Sequence, residues 1–325
     1  MVNGMIDRLE ACGISPSEKM GQHFLIDDHV LDIMAQRVGP GNSVIEIGAG
    51  PGNLTERLME HASHVVAVEL DRRYEPFLEP LSRRSGVEVM YADALAVNLY
   101  AVMRGVPDAQ WDLIASLPFH ISEPFLRKVA GLPFENMVLL IGDSLARSAM
   151  ASGPDDPHFS KLSLLCQTYF DPVIVQTVPK HAFYPQPRTD AAVVDFFPSP
   201  TDKFQDPKYA IYRALFNPTL SRQTVAKVLA QTFDPFRYGS KGSRDKRTSH
   251  RQERRTLKRE LRDFAERVDD VCPHSAKSTQ DCRDGKNANY FRGIDLPDGL
   301  LSKPFSAFSN DDVRLLALTL ERRFR

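Results

Sequence analysis

Apolar residues in this chain fall into short continuous runs and into stripes that have the period of a helix. Seven of the runs have the length of buried strands, and most are followed by a helical stripe. The first begins at Val44, and the others lie at about 65–69, 87–91, 112–116, 137–141, 173–178 and 192–197. No helix is predicted between the last two. This order predicts an α/β domain with a largely parallel seven-stranded sheet whose final strand is antiparallel.

The pattern changes after the proline-rich stretch at 198–207, which is typical of a linker. Beyond it the period is helical, apart from a polar tract at 272–289 that we expect to be disordered. We therefore predict two domains, residues 1–198 and 199–325, the second small and helical with a basic, partly disordered insertion around 237–290. Its helices are predicted at Tyr209–Phe216, Ser221–Phe233, Thr248–Val268 and, capped by Asn310, Asp311–Arg323.

Composition narrows the class of protein. The 325 residues are 42% hydrophobic and 26% charged, as in soluble globular proteins, and no apolar run approaches the length of about 18 residues that spans a membrane. The first residues include acids and lack the apolar core of a secretory signal. The four cysteines are scattered without CxxC spacing, which favours reduced thiols over disulfides or a zinc site. We expect a cytoplasmic protein that binds neither membrane nor metal.

Charge is distributed unevenly along the chain. The formal net charge is −1, yet residues 237–262 contain eleven basic and three acidic side chains. Such a segment indicates an anionic partner, for example a nucleic acid. A solvated helix face or a flexible basic loop has the same composition, and charge alone does not choose between these interpretations.

The chemically richest stretch is V-I-E-I-G-A-G-P-G-N-L, residues 44–54. A short apolar run with an acid at Glu46 is followed by glycines at 48, 50 and 52, and a helical pattern opens at about Asn53. Glycines at such a turn let the backbone bend sharply and let a ligand lie against it. The pattern fits a dinucleotide or S-adenosylmethionine (SAM), and the glycine spacing behind an acid favours SAM. A glycine-rich turn of any α/β protein is the plainer alternative.

Acids at the ends of the next two strands help to distinguish SAM from a dinucleotide. Glu69 ends the second strand, 21 residues after Gly48, where an acid that binds ribose hydroxyls is expected. Asp93 follows the third strand, where it can accept a hydrogen bond from an adenine amino group or simply cap a turn. A NAD site does not require this second acid, whereas a SAM site commonly has it. Acids at three successive strand ends therefore favour SAM.

A second informative stretch is S-L-P-F, residues 116–119, at the end of the fourth strand. Ligands of open parallel sheets bind beyond the carboxyl ends of the strands. The proline stiffens the loop, its carbonyl and the Ser116 hydroxyl are acceptors, and Phe119 offers a face on which a planar base can stack. The alternative is an ordinary loop before a helix that we expect to begin at about Ser122.

Taken together, these residues make the chain resemble the ribosomal RNA adenine N6-dimethyltransferases. That family includes the small-subunit enzymes, the macrolide-resistance methylases and the mitochondrial transcription factor B proteins. The resemblance implies a Rossmann-like seven-stranded SAM-dependent methyltransferase sheet with a small C-terminal α-helical domain, and ribosomal RNA or a ribosomal subunit as partner of a monomeric protein. Six motifs in the family's order carry it: G-Q-H-F-L at 21–25, E-I-G-A-G-P-G at 46–52, V-V-A-V-E-L-D at 65–71, A-D-A at 92–94, S-L-P-F at 116–119 and F-Y-P-Q-P-R-T-D-A-A-V-V at 183–194.

The resemblance also implies roles for single residues. The SAM pocket would be lined by His23, Leu25, Gly48, Glu69, Asp93 and Ser116, with Gly48 beside the methionine part, Glu69 on the ribose hydroxyls and Asp93 on the adenine. The target adenine would be held by Ser116, Pro118 and Phe119. In that arrangement Ser116 and the Pro118 carbonyl accept the two amino hydrogens, and Phe119 stacks on the base.

Two departures from the family pattern bear on catalysis. The family's substrate loop usually begins with Asn, where this chain has Ser116, and Gly142-Asp143-Ser144 replaces the usual Gln-Lys-Glu run. An adenine amino nitrogen is a poor nucleophile because its lone pair is delocalised. Hydrogen-bond acceptors must therefore hold its two hydrogens, and most of the catalysis comes from positioning the nitrogen against the methyl group. We predict SAM-dependent methylation of adenine N6 in ribosomal RNA. The alternative is a catalytically silent SAM- or nucleic-acid-binding factor of the mitochondrial transcription factor B type.

Overall fold

The structure, a computed structural model, describes residues 2–106, 108–199, 207–216, 222, 224, 225, 228 and 298–323. The predicted helix Ser221–Phe233 lies almost wholly outside the described residues. The predicted helix Thr248–Val268, the basic segment 237–262 and the polar tract 272–289 lie entirely outside them. The chain divides into two compact units, Met1–Ala151 with Tyr169–Pro198 and Ser152–Thr168 with Ser199–Arg325.

The first unit is built on a seven-stranded sheet in the order β4-β3-β2-β5-β6-β9-β7. β2 to β6 are parallel to one another, β9 is antiparallel to β6, and β7 is antiparallel to β9. The prediction of a mostly parallel sheet with an antiparallel end is confirmed. The strands are β1 Phe24–Leu25, β2 Ser43–Ile47, β3 His64–Glu69, β4 Val87–Tyr91, β5 Trp111–Ser116, β6 Asn136–Gly142, β7 Phe170–Val178, β8 Phe183–Tyr184 and β9 Ala191–Pro198.

Within the first unit, helices alternate with the strands along the chain, as the sequence predicts. The described α-helices are α1 Val2–Ala11, α2 Asp28–Ala35, α3 Asn53–Leu58, α4 Glu75–Ser82, α5 Leu99–Met103, α6 Phe119–Val129, α7 Asp143–Met150, α8 Lys161–Tyr169, α9 Pro207–Phe216, α10 Asp298–Leu301 and α11 Asn310–Arg323. The start of α2 is capped by an acidic side chain. Asp27 caps α2 by accepting from the backbone N–H groups of His29 and Val30 at 3.0 and 3.3 Å.

The central strands of the sheet are buried on both faces, which explains why they read as continuous apolar runs. Every residue of β2 is buried, as are all residues of β3 except His64. In the register of the sheet, Ile47 pairs with Val68 on one side and with Ala115 on the other. The carboxyl ends of β2, β3 and β5 therefore reach the same edge, where the loops that follow them can form a site.

Helix α6 begins at Phe119, so the predicted start at about Ser122 is wrong by three residues. Pro118 precedes the helix in an extended conformation, with φ −52° and ψ 130°. Its carbonyl accepts the first hydrogen bond, from the backbone N–H of Ile121 at 3.0 Å. Because proline has a fixed φ and no N–H to lose, it can sit directly against a helix start. The substrate loop predicted at 116–119 is thus shorter than expected.

A small second sheet joins two motifs that are far apart in the sequence. β1 pairs antiparallel with β8, with Phe24 opposite Tyr184 and Leu25 opposite Phe183. The contact is tightened by the Ile26 N–H, which donates to the Ala182 carbonyl at 2.8 Å. This pairing brings the G-Q-H-F-L segment beside the F-Y-P segment. Two-residue strands carry no recognisable period, so the sequence did not predict them.

The second unit contains α9, α10, α11 and nearly all of α8. Its residues 152–168 come from a segment that the sequence pattern assigns to the first domain. A reason is visible at Arg314 in α11, whose guanidinium donates to the carbonyls of Pro154, Asp156 and Pro157 at 2.8–2.9 Å. α11 is capped by Ser309 and not by the predicted Asn310, since the Ser309 hydroxyl accepts from the backbone N–H of Asp312 at 3.2 Å.

Candidate active site

A cavity of about 390 Å³ opens at the carboxyl ends of the central strands. Its size lies within the range of roughly 300–1,000 Å³ that is usual for small-molecule sites. Seven of the eight site residues predicted from the sequence contribute to its wall, and Phe119 is the exception. The seven are His23, Leu25, Gly48, Glu69, Asp93, Ser116 and Pro118.

The glycine turn after β2 forms the floor of the cavity. Gly48 and Gly50 have φ values of 80° and 53°, in the left-handed region that favours glycine. A β-carbon on Gly48 would stand 2.9 Å from the Ser116 carbonyl oxygen, and one on Gly50 would stand 2.9 Å from the ring of Phe24. The glycines therefore serve two needs. They allow the turn, and they leave room for the neighbouring loop and for a ligand against the backbone.

Glu69 lies at the end of β3 with its carboxylate turned back towards the glycine turn. One carboxylate oxygen accepts from the Gly50 N–H and the other from the Asp71 N–H, both at 2.7 Å. Burial raises the pKa of Glu69, although these backbone donors act in the opposite direction. Each oxygen keeps a second lone pair, so the carboxylate can support the turn and still accept hydrogen bonds from a ligand.

Glu46 lies beneath the turn and does not line the cavity. The hydroxyl of Thr55 donates to its Oε2 at 2.6 Å, and its Oε1 is buried without a partner in the described part of the chain. Burial raises the pKa of Glu46 to about 8, opposed by the Thr55 hydrogen bond and reinforced by the charge of Glu69. The first of the three strand-end acids is therefore an interior group. Only Glu69 and Asp93 face the cavity.

Asp93 follows β4 on an exposed turn at the cavity wall. Its Oδ1 accepts from the backbone N–H of Leu95 at 2.8 Å, which is the turn geometry that the plainer interpretation predicts. No described residue donates to the other carboxylate oxygen. The side chain thus closes its own turn and keeps an acceptor available.

The loop after β5 presents two acceptors that no described residue uses, the Ser116 hydroxyl and the Leu117 carbonyl. The Pro118 carbonyl is different, because it accepts from the Ile121 N–H at 3.0 Å and from the Ser122 hydroxyl at 3.2 Å. A carbonyl oxygen has two lone pairs, and both are committed here to the start of α6. Leu117, to which the sequence analysis gave no role, also lines the cavity.

Phe119 does not line the cavity and is instead partly buried against the hydrophobic core. Its ring is 3.5 Å from the position that a β-carbon on Gly142 would occupy, and its centroid is 6.4 Å from that of His23. His23 is fixed in turn by a hydrogen bond that its Nδ1 donates to the Pro185 carbonyl at 2.8 Å. The replacement of the family's Gln-Lys-Glu run by a sequence that starts with Gly142 therefore has a structural counterpart. A β-carbon at this position would be in van der Waals contact with the Phe119 ring.

Gln22 is a buried residue of the cavity that the sequence analysis left without a role. Its side-chain carbonyl accepts from the Ser17 N–H at 2.7 Å and from the Tyr74 hydroxyl at 3.0 Å, and its amide donates to Asp71 at 2.9 Å. This network joins the segment before β1 to the end of β3 and so supports the wall around Glu69. The only sequence signal was its place in the G-Q-H-F-L motif.

Within the described residues no group of three or more His, Cys, Asp and Glu side chains is arranged to hold a metal ion. None of the helices that the structure describes has the length and apolarity needed to cross a membrane.

Proteins with similar sequences are named as ribosomal RNA methyltransferases. The chain is 36% identical over 197 residues to ribosomal RNA small subunit methyltransferase A of Bacillus licheniformis, a match that covers 57% of this chain and 66% of the relative, just under two thirds. It is 33% identical over 226 residues to the probable ribosomal RNA small subunit methyltransferase A of Pyrococcus abyssi, covering 69% of this chain and 79% of that protein.

A solved structure has the same fold. The crystal structure of a dimethyladenosine transferase from Plasmodium falciparum aligns with a TM-score of 0.51 at 18% identity, covering 91% of this chain and 97% of the other. The predicted Rossmann-like methyltransferase fold is thereby confirmed. The sequence profile of ribosomal RNA adenine dimethylases matches residues 15–251. Since that match spans well over half of the chain, the protein belongs to the ribosomal RNA adenine dimethylase family of SAM-dependent methyltransferases.

Proposed function

We propose that this protein transfers methyl groups from SAM to N6 of an adenine in small-subunit ribosomal RNA. Membership in the family supports the reaction, and the names of the two relatives support the small subunit as the target. The structural observation that carries the proposal is the convergence of Glu69, Asp93 and the Ser116 loop on one cavity. A carboxylate pair for a nucleoside and a set of acceptors for an amino group are what such a transfer needs.

The cofactor half of the cavity fits SAM in shape and in chemistry. The bare backbone of Gly48 leaves space for the methionine part, and the Glu69 carboxylate has lone pairs left for two ribose hydroxyls. The available oxygen of Asp93 can accept from the adenine amino group, while His23 and Leu25 close the side nearest β8. When bound, SAM supplies a methyl group activated by its sulfonium charge. The residues of the chain only bind and orient.

The substrate half is assigned to Ser116 and Leu117. We assign the second acceptor to the Leu117 carbonyl and not to Pro118, because both lone pairs of the Pro118 carbonyl are used by Ile121 and Ser122. The Ser116 hydroxyl and the Leu117 carbonyl would hold the two amino hydrogens of the target adenine. Held in this way, the nitrogen lone pair is aimed at the methyl group, and no strong base is required.

We still assign base stacking to Phe119. Its ring lies outside the cavity wall, so it would contact the base from beside the Ser116 loop. Its ring and that of His23 lie close together, at a 32° interplanar angle. A flipped adenine could enter between the loop and this pair of rings. Aromatic stacking is worth about 1–3 kcal/mol per base and tolerates such an approach from one face.

Contact with the rest of the ribosomal RNA is assigned to the basic segment 237–262, which lies outside the described residues. If its cations neutralise phosphates, RNA affinity should fall steeply as salt rises. Deleting 237–262 should then flatten the dependence of affinity on salt. An unchanged dependence would mean that the segment serves another contact.

The competing function is a catalytically silent binding factor. The replacement of an amide by the Ser116 hydroxyl favours it, since serine is shorter and offers no carbonyl in a fixed plane. The two carboxylates that line the cavity favour the enzyme, because a silent factor has little need of them.

The deciding experiment is mass spectrometry of ribosomal RNA from cells with and without the gene. We expect an N6-methylated adenine of the small subunit to be absent from the deletion strain and restored by the wild-type gene. A Phe119→Ala gene should restore it poorly, and a gene altered at exposed Tyr100 to Ala should restore it fully. Identical RNA from both strains, with no transfer to ribosomal subunits in vitro, would favour the silent factor.

A further inference from the structure

One lysine links the two halves of the active site. Lys128 lies in the last turns of α6, and its ammonium group donates to the main-chain carbonyls of Ala94 at 2.7 Å and Val97 at 2.5 Å. These carbonyls belong to the turn 93–97, the turn that carries Asp93. Burial lowers the pKa of Lys128, and the Asp93 carboxylate acts in the opposite direction. A partly buried ammonium that is bound to two main-chain carbonyls is a specific contact, not a solvated side chain.

The turn has few other ties to the rest of the domain. Its remaining hydrogen bonds among described residues are internal, from the N–H groups of Leu95, Ala96 and Val97 to the side chain or carbonyl of Asp93. At its start, the Ala92 N–H donates to the Glu69 carbonyl at 2.9 Å. Asp93 itself is exposed. The direction of its carboxylate therefore depends on how the turn as a whole is held, and Lys128 holds the end farther from β3.

The same helix begins at the substrate loop. α6 starts at Phe119, directly after the Ser116–Pro118 segment, and its inner face is fixed by buried Phe125, Leu126 and Val129. Pro124 interrupts the backbone hydrogen bonds inside α6, so the packing of these buried side chains fixes the last turns, which carry Lys128. Lys128 thus ties the turn on the cofactor side to the helix that follows the substrate loop.

We propose that Lys128 is a positioning residue for nucleobase recognition, which holds the turn 93–97 so that Asp93 faces the adenine amino group of the cofactor. The inference rests on the proposed function in one respect, the assignment of Asp93 to that amino group. It goes further because it names Lys128 as the residue that makes the Asp93 carboxylate selective for an amino group. An anchor that served stability alone would affect all ligands of the cavity equally.

The test compares two ligands that differ only at the recognised group. S-adenosylhomocysteine has an amino group at the position where its analogue with unsubstituted purine has only a hydrogen atom, which cannot donate to a carboxylate. We expect wild-type protein to bind the adenine ligand at least about tenfold more tightly, as a lost hydrogen bond to a charged group predicts. In Lys128→Met, which keeps the aliphatic length but donates nothing, the ratio of the two dissociation constants should fall towards one.

The neighbouring Arg127 provides a matched control. It lies on the exposed face of α6, where it pairs with Glu123 one turn earlier. Arg127→Met removes a cation from the same helix without touching the turn, so the ratio should stay at the wild-type value. Lys128→Arg, which retains donors, should recover part of the selectivity. Thermal unfolding of each variant verifies that binding is measured on folded protein.

Three outcomes would overturn the proposal. Wild-type selectivity in folded Lys128→Met would leave Lys128 without a role in recognition, whatever the reaction. Should that variant not fold, Lys128→Gln, whose shorter side chain cannot reach both carbonyls, takes its place, and an unchanged ratio there has the same meaning. Equal binding of both ligands by the wild type would refute the Asp93 assignment and this inference together, while methylation of ribosomal RNA is tested separately.

Discussion

The backbone of Gly48 lies so close to the carbonyl of Ser116 that a β-carbon on residue 48 would stand 2.9 Å from that oxygen. Gly48 directly follows β2 and Ser116 ends the neighbouring parallel strand β5, and each begins a loop of the active site. The turn that we assign to the cofactor and the loop that we assign to the target adenine are therefore in direct contact. A side chain added at Gly48 must therefore displace the main chain of Ser116.

Gly48→Ala should damage both stability and SAM binding. The φ of 80° costs an alanine about 1–2 kcal/mol, and the displaced Ser116 carbonyl adds to that cost. We expect at least about tenfold weaker SAM binding by calorimetry, since a shift of 1.4 kcal/mol corresponds to that factor. Gly41 is the control, because its φ is 76° but a β-carbon there meets nothing within 4 Å. Equal effects of Gly48→Ala and Gly41→Ala on SAM affinity would contradict the contact argument.

Glu69→Gln should weaken SAM binding by roughly 2–3 kcal/mol, because two hydroxyl hydrogen bonds lose a charged acceptor. The variant also loses an acceptor for Gly50 or Asp71, so denaturant unfolding must accompany the calorimetry. Glu79→Gln is the matched control, since Glu79 forms only an exposed ion pair with Arg83 one turn away. Normal SAM affinity in a folded Glu69→Gln protein would remove Glu69 from the site.

The sequence predicted the large sheet, and seven of the eight site residues that it predicted line the cavity, because both depend on local patterns. Buried parallel strands read as apolar runs, and the ligand edge of such a sheet follows from the strand ends. The roles of Lys128 and Leu117 were not predictable in this way. Lys128 acts through carbonyls more than 30 positions away. The availability of the Leu117 carbonyl became clear only once α6 was seen to begin at Phe119 and to use Pro118.

Three strand-end acids also looked equivalent in the sequence, whereas the structure separates them. Glu46 is 1% exposed, and its second carboxylate oxygen has no partner among the described residues. Glu69 is anchored by two backbone donors, and Asp93 lies on an exposed turn. Which acid faces inward depends on side-chain direction along each strand. That direction is set by packing between the sheet and its helices, which no single motif encodes.

The buried Glu46 makes stability depend on pH. Its pKa is raised from 4.5 to about 8 by burial, so across this interval the unfolded chain releases a proton that the native protein keeps. The free energy of unfolding should therefore fall as pH rises, by up to about 1.4 kcal/mol per pH unit. Glu46→Gln lacks this loss, and its stability relative to the wild type should increase over the same interval. Glu56→Gln, at an exposed position of α3, should show no such trend in denaturant titrations.

The ion pair between Arg37 and Asp195 should matter far more than the surface pairs of this domain. Its atoms are 2.8 Å apart, and the Asp195 side chain is only 3% exposed. Arg37→Met would leave a buried carboxylate unpaired, at a cost of about 3–5 kcal/mol. The double variant Arg37→Met with Asp195→Asn should recover part of this loss. Arg83→Met breaks an exposed pair, and its effect on the free energy of unfolding should stay below about 1 kcal/mol.

Ser116 decides how well the substrate loop works in catalysis. Its hydroxyl has no hydrogen-bond partner among the described residues, and we assign it to one amino hydrogen of the target adenine. Ser116→Ala should lower kcat roughly tenfold, the equivalent of one hydrogen bond made as the nitrogen reacts. Affinity for SAM should hardly change. Ser82→Ala, which removes a hydroxyl bound only to the Glu79 carbonyl at 2.8 Å, should leave both quantities unaltered.

The reverse change, Ser116→Asn, tests whether the loop has retained its function. Asparagine supplies a side-chain carbonyl whose plane is fixed by the amide, and from the same backbone position it reaches farther into the cavity. If the wild type is an active enzyme adapted to serine, Ser116→Asn should crowd the adenine and lower kcat in single-turnover methylation of ribosomal subunits. A wild type without activity and a Ser116→Asn variant that gains it would instead identify a loop that has lost catalysis on a scaffold that still binds SAM. Loss of SAM binding in this variant would contradict both accounts, because the Glu69 and Asp93 contacts are untouched by the substitution.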